Sequence, residues 1–232
     1  GMPGMPGMEG MSSGGLKPPG IPSGAVEKLD RVIAKCSRIL VDYRKSKWVD
    51  NALLLIGKAH FYKQEYTRAE RKFKELLDGF PESALASEAL LWMGKNYAMI
   101  GFFDEAEEYF DKAIERGVAD DRPEIVAESY YSRGEMLLAR GMEKKAVESF
   151  EKGAGFARGT DMSLQILLAL AKEQEKLGDK KAAAKSYKQI LQLNPDREVS
   201  FYSEPRASFP RDGTDRRRRQ HAGGHAGQPR LS

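Results

Sequence analysis

Few residues of this chain have the side chains and the spacing that catalysis needs. The sequence contains three histidines, His60, His221 and His225. His60 falls within a helical apolar pattern, so we predict a packing role for it rather than a chemical one. His221 and His225 are four residues apart, which brings two imidazoles together only on a helix. The glycines between them argue against a helix, and we therefore predict neither a metal site nor a catalytic histidine.

The acidic residues and the cysteine also give no sign of catalysis. The carboxylates alternate with lysines at helical spacing, as they do on a solvated helix surface. No Gly-rich phosphate loop follows a predicted strand. The single cysteine, Cys36, falls at a core position and is predicted to be an inert buried thiol. We therefore expect no enzyme activity and no cofactor.

The positive charge of the chain lies mainly in its last residues. The formal net charge is +4, and residues 198–232 hold seven arginines against four acidic residues. The run Arg216–Arg219 could neutralise phosphates. It has no aromatic neighbour on which a base could stack, so nucleic-acid binding through this tail is an alternative that we do not favour.

The helices that would position any site follow from a pattern that occurs four times. A small residue is followed twelve residues later by Ala and four residues after that by an aromatic residue. The aromatic residue recurs after 37, 40 and 37 residues, which predicts an array of two-helix units. The four instances are Gly57, Ala69 and Phe73; Gly94, Ala106 and Phe110; Gly134, Ala146 and Phe150; and Ala171, Ala183 and Tyr187.

The small residues indicate how the helices of a pair pack. Gly57 lies inside a predicted helix, where glycine costs about 1 kcal/mol relative to alanine. We expect two helices to cross closely there, so that a larger side chain would overpack the contact by about 1–3 kcal/mol. Gly101, Gly141 and Gly178 are predicted to end first helices in the left-handed conformation. One pair cannot bury its own apolar face, so the predicted fold is all-α, a right-handed α-solenoid.

The array is predicted to span residues 26–197, as a leading helix followed by four helix pairs. Residues 1–25, rich in Gly, Pro and Met, are predicted to be disordered, and so is the Arg-rich tail 198–232. Both ends would then lack a cap, with Val32, Ile33 and Ile39 exposed. We expect such ends to stack with further repeats or another chain, and we expect the sequence to be an internal fragment of a longer protein.

These residues resemble the tetratricopeptide repeat (TPR) family. The third pair departs from the family pattern at Arg133 and Gly153. The run of residues 46–83 is similar, more narrowly, to TPR proteins of the bacterial cell envelope, such as outer-membrane-assembly lipoproteins and Tol–Pal coordinators. The matching residues are Leu53, Gly57, Tyr66, Ala69, Phe73 and Pro81; Leu90, Gly94, Tyr97, Gly101, Phe103, Ala106, Phe110 and Ala113; and Leu167, Leu170, Gly178, Ala183, Tyr187 and Pro195.

The resemblance implies a non-enzymatic scaffold or adaptor that binds a protein, peptide or helix in a groove lined by its first helices. Lysines in the groove would meet acidic groups of the ligand. A periplasmic or outer-membrane location would follow from the envelope resemblance, and a cytoplasmic one otherwise. The groove residues would be Lys58, Phe61, Tyr62, Lys95, Ala98, Met99, Tyr131, Glu135, Leu138, Lys172 and Lys176.

Two observations limit the other function classes. No segment reaches the roughly 18 apolar residues of a membrane span, and the first residues lack the pattern of a signal peptide. Apart from nucleic-acid binding, one alternative is open, in which the repeats are the assembly arm of a larger enzyme or regulator.

Overall fold

The computed structural model describes residues 24–208, and all regular secondary structure within them is α-helical. This confirms the predicted all-α class. The helices are α1 Ala25–Asp42, α2 Val49–Tyr62, α3 Tyr66–Gly79, α4 Ala86–Ile100, α5 Phe103–Ala119, α6 Pro123–Ala139, α7 Glu143–Phe156, α8 Ser163–Lys176, α9 Lys180–Gln192 and α10 Arg197–Ala207.

The helices α2 and α3 show how the sequence forms one pair. Leu53 of α2 and Ala69 and Phe73 of α3 are buried in the same apolar cluster. Burying a side chain as large as Phe73 contributes roughly 1.5–3 kcal/mol to folding. The apolar residues thus follow the predicted 3.6-residue period, and they hold the two helices together.

The small residues of the pattern lie against aromatic rings. A Cβ built on Gly57 would lie 2.3 Å from Phe73 Cε1, and one built on Gly134 would lie 2.3 Å from Phe150 Cε1. These distances are far below van der Waals contact, so only a hydrogen atom fits at each position. A larger side chain would therefore meet the aromatic ring that follows Ala69 or Ala146 by four residues, which is consistent with the predicted need for a small residue.

The turns inside the pairs have the predicted backbone. Gly101, Gly141 and Gly178 adopt φ values of 84°, 69° and 82°, the left-handed conformation that glycine adopts without steric cost. The first pair achieves the same turn with Gln64 at φ 62°. A non-glycine residue pays roughly 1–2 kcal/mol for this conformation.

The described residues fall into two compact bodies, divided after Ser163. In the first body, each helix packs on the next, and the first helices α2, α4 and α6 also contact one another. The second helices α3, α5 and α7 make no comparable contact with one another in this part of the chain. The first helices therefore form the inner side of the first body, as the solenoid prediction requires.

The N-terminal helix α1 packs on α2. Cys36 is buried with Ala52 and Ile56, which confirms the predicted buried thiol. Val32 and Ile33 are partly buried against the same cluster. The expectation that they are exposed is therefore wrong, because α2 covers one side of this half-pair.

The helix α10 corrects the prediction that residues 198–232 lack structure. It packs on α9 in the second body, with Ser203 and Ala207 buried. The ring of Tyr202 lies edge-on to that of Tyr187, with centroids 5.8 Å apart. Small and aromatic side chains of α10 thus cover α9, although the sequence of α10 shows no helical period of apolar residues. The predicted disorder of residues 1–23, like the run Arg216–Arg219 and the pair His221 and His225, lies outside the described residues.

Candidate functional site

The inner side of the first body is centred on Trp92, a residue that the sequence analysis did not identify. Trp92 lies on α4 and is only 7% exposed. From α2, Phe61 and Tyr62 meet its ring edge-on, with centroid distances of 5.2 and 5.6 Å. The Phe73 ring of α3 stacks on it at 6.5 Å. Each such aromatic pair stabilises a fold by about 0.5–1.5 kcal/mol beyond area burial.

Two lysines lie near the Trp92 ring, Lys58 of the neighbouring helix α2 and Lys95 of the same helix α4. Lys58 Nζ lies 5.1 Å and Lys95 Nζ 4.4 Å from the ring centroid. At these distances a cation–π contact is worth about 0.5–2 kcal/mol, depending on how far the ammonium group is desolvated. The two ammonium groups are therefore both close enough to interact with the Trp92 ring.

Each of these lysines is paired with a glutamate of the next first helix. Lys58 of α2 donates a hydrogen bond to Glu88 of α4, and Lys95 of α4 donates one to Glu128 of α6. The two ion pairs form a ladder that links three successive first helices. An acidic ligand would therefore compete with Glu88 and Glu128 for the lysines, a competition that the sequence analysis did not foresee.

Several predicted groove residues lie at the rim of this cluster. Tyr62 is 47% exposed although its ring contacts Trp92, so it presents an anchored aromatic face to solvent. Burial, and after it the negative charge of Glu128, raises the pKa of Tyr62. Its hydroxyl therefore stays protonated at neutral pH and can donate a hydrogen bond. Met99 on α4 and Phe61 on α2 are partly buried.

The predicted residues on α6 are partly buried as well. Tyr131, Glu135 and Leu138 all have intermediate exposure. The Tyr131 ring lies 5.7 Å from that of Phe150 on α7, so it is held by its own helix pair. These three residues extend the candidate surface one helix beyond the Trp92 cluster.

One predicted groove residue is wrong. Ala98 is only 1% exposed, so it has no side-chain surface to offer a ligand. A methyl group is too short to extend past its larger neighbours on α4. Ala98 therefore belongs to the core of the first body.

The two predicted groove residues on α8 are exposed and belong to the second body. Lys172 Nζ lies 5.8 Å from the centroid of Tyr202 on α10. Lys176 is paired with Glu173, at 3.4 Å between Nζ and Oε2. Lys172 therefore lies near an aromatic ring two helices later in the chain, as Lys58 of α2 lies near Trp92 of α4.

His60 takes part in a polar network at the α2–α3 turn. Its Nδ1 lies 2.6 Å from Glu65 Oε2, and the ring is buried. Lys63 and Arg68 also pair with Glu65. Burial acts to raise the pKa of Glu65, but hydrogen bonds from Lys63 and His60 outweigh it and lower this pKa to about 2. Lys63 extends the network to Asp30 of α1, at 2.7 Å.

One buried amide near the inner side has no partner. Both side-chain polar atoms of Asn96 on α4 are buried and lack a hydrogen bond within residues 24–208. The corresponding residues of the neighbouring pairs are Ala59 and Met136, both buried. Since an unpaired buried amide costs roughly 1–3 kcal/mol, Asn96 is a local weakness of the core.

Within residues 24–208, no cluster of three or more His, Cys, Asp or Glu side chains could hold a metal ion. No helix in this range combines the length and the apolar character that crossing a membrane requires.

Known protein families and structures resemble this chain in fold. Family models described as Tetratricopeptide repeat match residues 54–98, 93–159 and 164–197. The structure of MamA covers 75% of this chain and 95% of its own, at 20% identity and a TM-score of 0.53. That of BtubC (BKLC) from P. vanneervenii covers 89% of this chain and 94% of its own, at 14% identity and a TM-score of 0.59.

A third similar structure is a tetratricopeptide repeat protein from Parabacteroides merdae ATCC 43184. It covers 78% of this chain and 65% of its own, at 19% identity and a TM-score of 0.52. No curated protein sequence matches the chain significantly. At these identities the structural likeness shows the fold alone, and the narrower resemblance to cell-envelope proteins stays a prediction.

Proposed function

Because the chain belongs to the tetratricopeptide repeat family, we propose that it is a scaffold that seats a peptide or helix of a protein partner on the inner side of its first body. The observation that supports this proposal most is the exposed ring of Tyr62, which is held in place by Trp92. Rigid aromatic side chains of this kind are enriched among the residues that dominate binding energy. Three successive first helices extend the surface on which a partner would lie.

The neutralised lysines indicate how the partner is recognised. Lys58 and Lys95 are already paired with Glu88 and Glu128. Charge attraction therefore contributes little, and apolar side chains of the partner would contact Tyr62 and the other rim residues. Because the ladder fixes this surface before binding, little conformational entropy is lost on the scaffold side.

Site-specific photo-crosslinking tests the proposal. A benzoylphenylalanine in place of Tyr62 keeps an aromatic ring on the inner side, and the same group in place of Lys74 on α3 serves as the control. In cells that express the protein, we expect the residue-62 probe to crosslink one partner protein at the same segment in repeated experiments. Crosslinking of the same segment from residue 74 and not from residue 62 would refute the assignment of the inner side.

The location of the scaffold is a separate proposal. The similarity of residues 46–83 to envelope members of the family supports a role in assembly within the bacterial cell envelope. Fractionation of cells that express the protein from its own gene tests this directly. Recovery in the cytoplasmic fraction alone would contradict the envelope role and leave the inner-side proposal intact.

A further inference from the structure

We propose that the N-terminal edge of the first body is a second docking site, which binds an acidic amphipathic helix of a partner protein. We call this surface the basic edge. It is distinct from the inner-side surface around Trp92, and it does not depend on the function proposed for that surface. The basic edge consists of the exposed residues Arg44, Lys45 and Lys47 of the α1–α2 loop, Trp48 directly after them, and Leu55 of α2.

The backbone of the α1–α2 loop repeats that of the α3–α4 loop. Ser46 N donates to Tyr43 O at 2.8 Å, and 37 residues later Ser83 N donates to Phe80 O at 3.0 Å. The Ser46 hydroxyl accepts from Trp48 N at 3.3 Å. The Ser83 hydroxyl accepts from the corresponding backbone N–H at 3.1 Å. The two loops therefore share the same pattern of backbone hydrogen bonds.

The side chains of the two loops differ completely in charge. Where the first loop has Arg44, Lys45 and Lys47, the second has Pro81, Glu82 and an alanine. Because the second loop adopts the same hydrogen-bonding pattern without basic residues, the fold does not require them. The basic side chains of the first loop are therefore available for another role.

The apolar part of the basic edge lies where a first helix would pack. Leu55 of α2 and Trp48, the residue directly before α2, are 46% and 55% exposed, and their spacing of seven residues puts them on one side of the helix as an apolar stripe. Their counterparts 37 residues later are Trp92 and Leu85 on the next pair, and Trp92 is only 7% exposed because residues of α2 cover it. Within residues 24–208 no helix precedes α1, so nothing described covers the stripe.

The stripe has the dimensions of a helix contact. Trp48 and Leu55 are seven residues apart, which on α2 is two turns and about 10 Å. A partner helix would present apolar residues at matching intervals of three, four and seven residues. It would occupy, relative to α2, the place that α2 occupies relative to α4.

The charge of the edge selects an acidic partner. Residues 24–48 contain seven basic and three acidic residues. Each acidic residue already has a basic partner, since Glu27 pairs with Arg31, Asp42 with Arg38, and Asp30 with a lysine of the α2–α3 turn.

The three basic residues of the α1–α2 loop have no such acidic partner. Within the described chain, no carboxylate lies in ion-pair distance of Arg44, Lys45 or Lys47. Lys47 Nζ lies instead 5.2 Å from the ring centroid of Trp48. A loop of unpaired basic groups that leads directly into an apolar stripe is complementary to a helix with one apolar and one acidic face.

Fluorescence anisotropy with synthetic helices tests the basic edge on the full chain. The probe is a labelled 18-residue peptide with leucines on one helix face and glutamates on the other, and its match carries lysine at every glutamate position. The test variant combines Lys45→Glu, Lys47→Ala and Trp48→Leu, which are the residues of the α3–α4 loop. The control variant is Lys74→Glu on α3.

We expect the full chain to bind the glutamate peptide at least tenfold more tightly than the lysine peptide. The triple variant should lose at least tenfold in affinity, and Lys74→Glu should change it less than twofold. Met99→Ala on the inner side should also change it less than twofold, so that failure of one site is distinguishable from failure of the other. Circular dichroism would verify that each variant is folded.

Four results would overturn the proposal. Equal binding by the triple variant would show that the basic edge is not the site, and equal binding of the two peptides would show that charge does not select the partner. Failure of the full chain to bind the glutamate peptide would show that the edge is covered. Binding of phosphatidylserine vesicles or single-stranded DNA, lost in the triple variant without peptide binding, would assign the edge to a membrane or a nucleic acid instead.

Discussion

Gly94 of α4 lies directly against the ring of Phe110 on α5, and a Cβ at residue 94 would be 2.6 Å from Phe110 Cδ1. Helix propensity alone would favour alanine at this position by about 1 kcal/mol. We predict the opposite for Gly94→Ala, a loss of about 1–3 kcal/mol, because the rigid ring cannot move without disturbing the pair. Urea unfolding followed by circular dichroism measures this loss.

Gly155 provides the matched control for this prediction. It lies within α7, and a Cβ there would meet no atom within 4 Å. Gly155→Ala should therefore stabilise the protein by up to about 1 kcal/mol. Equal effects of the two substitutions would show that the contact between residue 94 and the ring does not limit side-chain size.

Ala106 of α5 tests the same packing from the second helix. It is fully buried, whereas Lys112 on the same helix is exposed, where it pairs with Glu108 and lies 5.0 Å from the Tyr109 ring centroid. Ala106→Leu should lower the free energy of unfolding by about 1–3 kcal/mol, and Lys112→Ala should change it by less than about 0.5 kcal/mol. Similar melting temperatures for the two variants would contradict close packing at residue 106.

The Glu65 network should make stability depend on acidic pH. Hydrogen bonds from Lys63 and His60 lower the pKa of Glu65 from 4.5 to about 2 in the folded protein. A lowered folded-state pKa means that its stabilisation is fully present above pH 4.5 and is lost as the pH falls towards 2. Glu65→Gln should therefore destabilise the protein at pH 7 and have a smaller effect at pH 2.5.

Thermal unfolding of both proteins across this pH range measures the difference. Comparison with the unmodified chain isolates Glu65 from the other carboxylates, which titrate in both proteins. A stability difference that stays constant between pH 7 and pH 2.5 would show that Glu65 does not take up a proton in this range.

Asn96 should be replaceable with a gain in stability. Its buried amide has no hydrogen-bond partner within residues 24–208, and leucine has the same branched shape without polar atoms. We expect Asn96→Leu to raise the free energy of unfolding by about 1–3 kcal/mol, as measured in urea. Asn51 on α2 is only partly buried and serves as a control, since Asn51→Leu should have little effect. Destabilisation by Asn96→Leu would mean that the amide is satisfied.

The fold was predictable because its signals are local in sequence. The distance from Gly57 to Phe73 recurs in every pair, so it predicts both the pairing and the positions that must be small. The helix α10 was missed because it covers α9 with Ser203 and Ala207, which carry no apolar period. Prolines and arginines around this segment suggested disorder, but packing on α9 outweighs that local preference.

The centre of the inner side was less predictable, because it depends on contacts between pairs. Trp92 is surrounded by Lys58 and Lys95, which lie on different helix pairs and belong to two ion pairs with glutamates. The spacing of 37 residues between the two lysines was visible in the sequence. The position of the Trp92 ring between the two lysines was not visible, because only the stacking of α2 on α4 brings the ring close to both side chains.

The inner-side proposal is tested most directly by the affinity of the Tyr62→Ala variant of this protein for the partner segment identified by crosslinking. Titration calorimetry would compare this variant with Lys74→Ala on α3 and with the unmodified chain. We expect Tyr62→Ala to weaken binding at least tenfold without a large change in melting temperature, because the ring is half exposed. Lys74→Ala should bind normally. Unchanged affinity of Tyr62→Ala, or an equal loss in both variants, would contradict a binding site on the first helices.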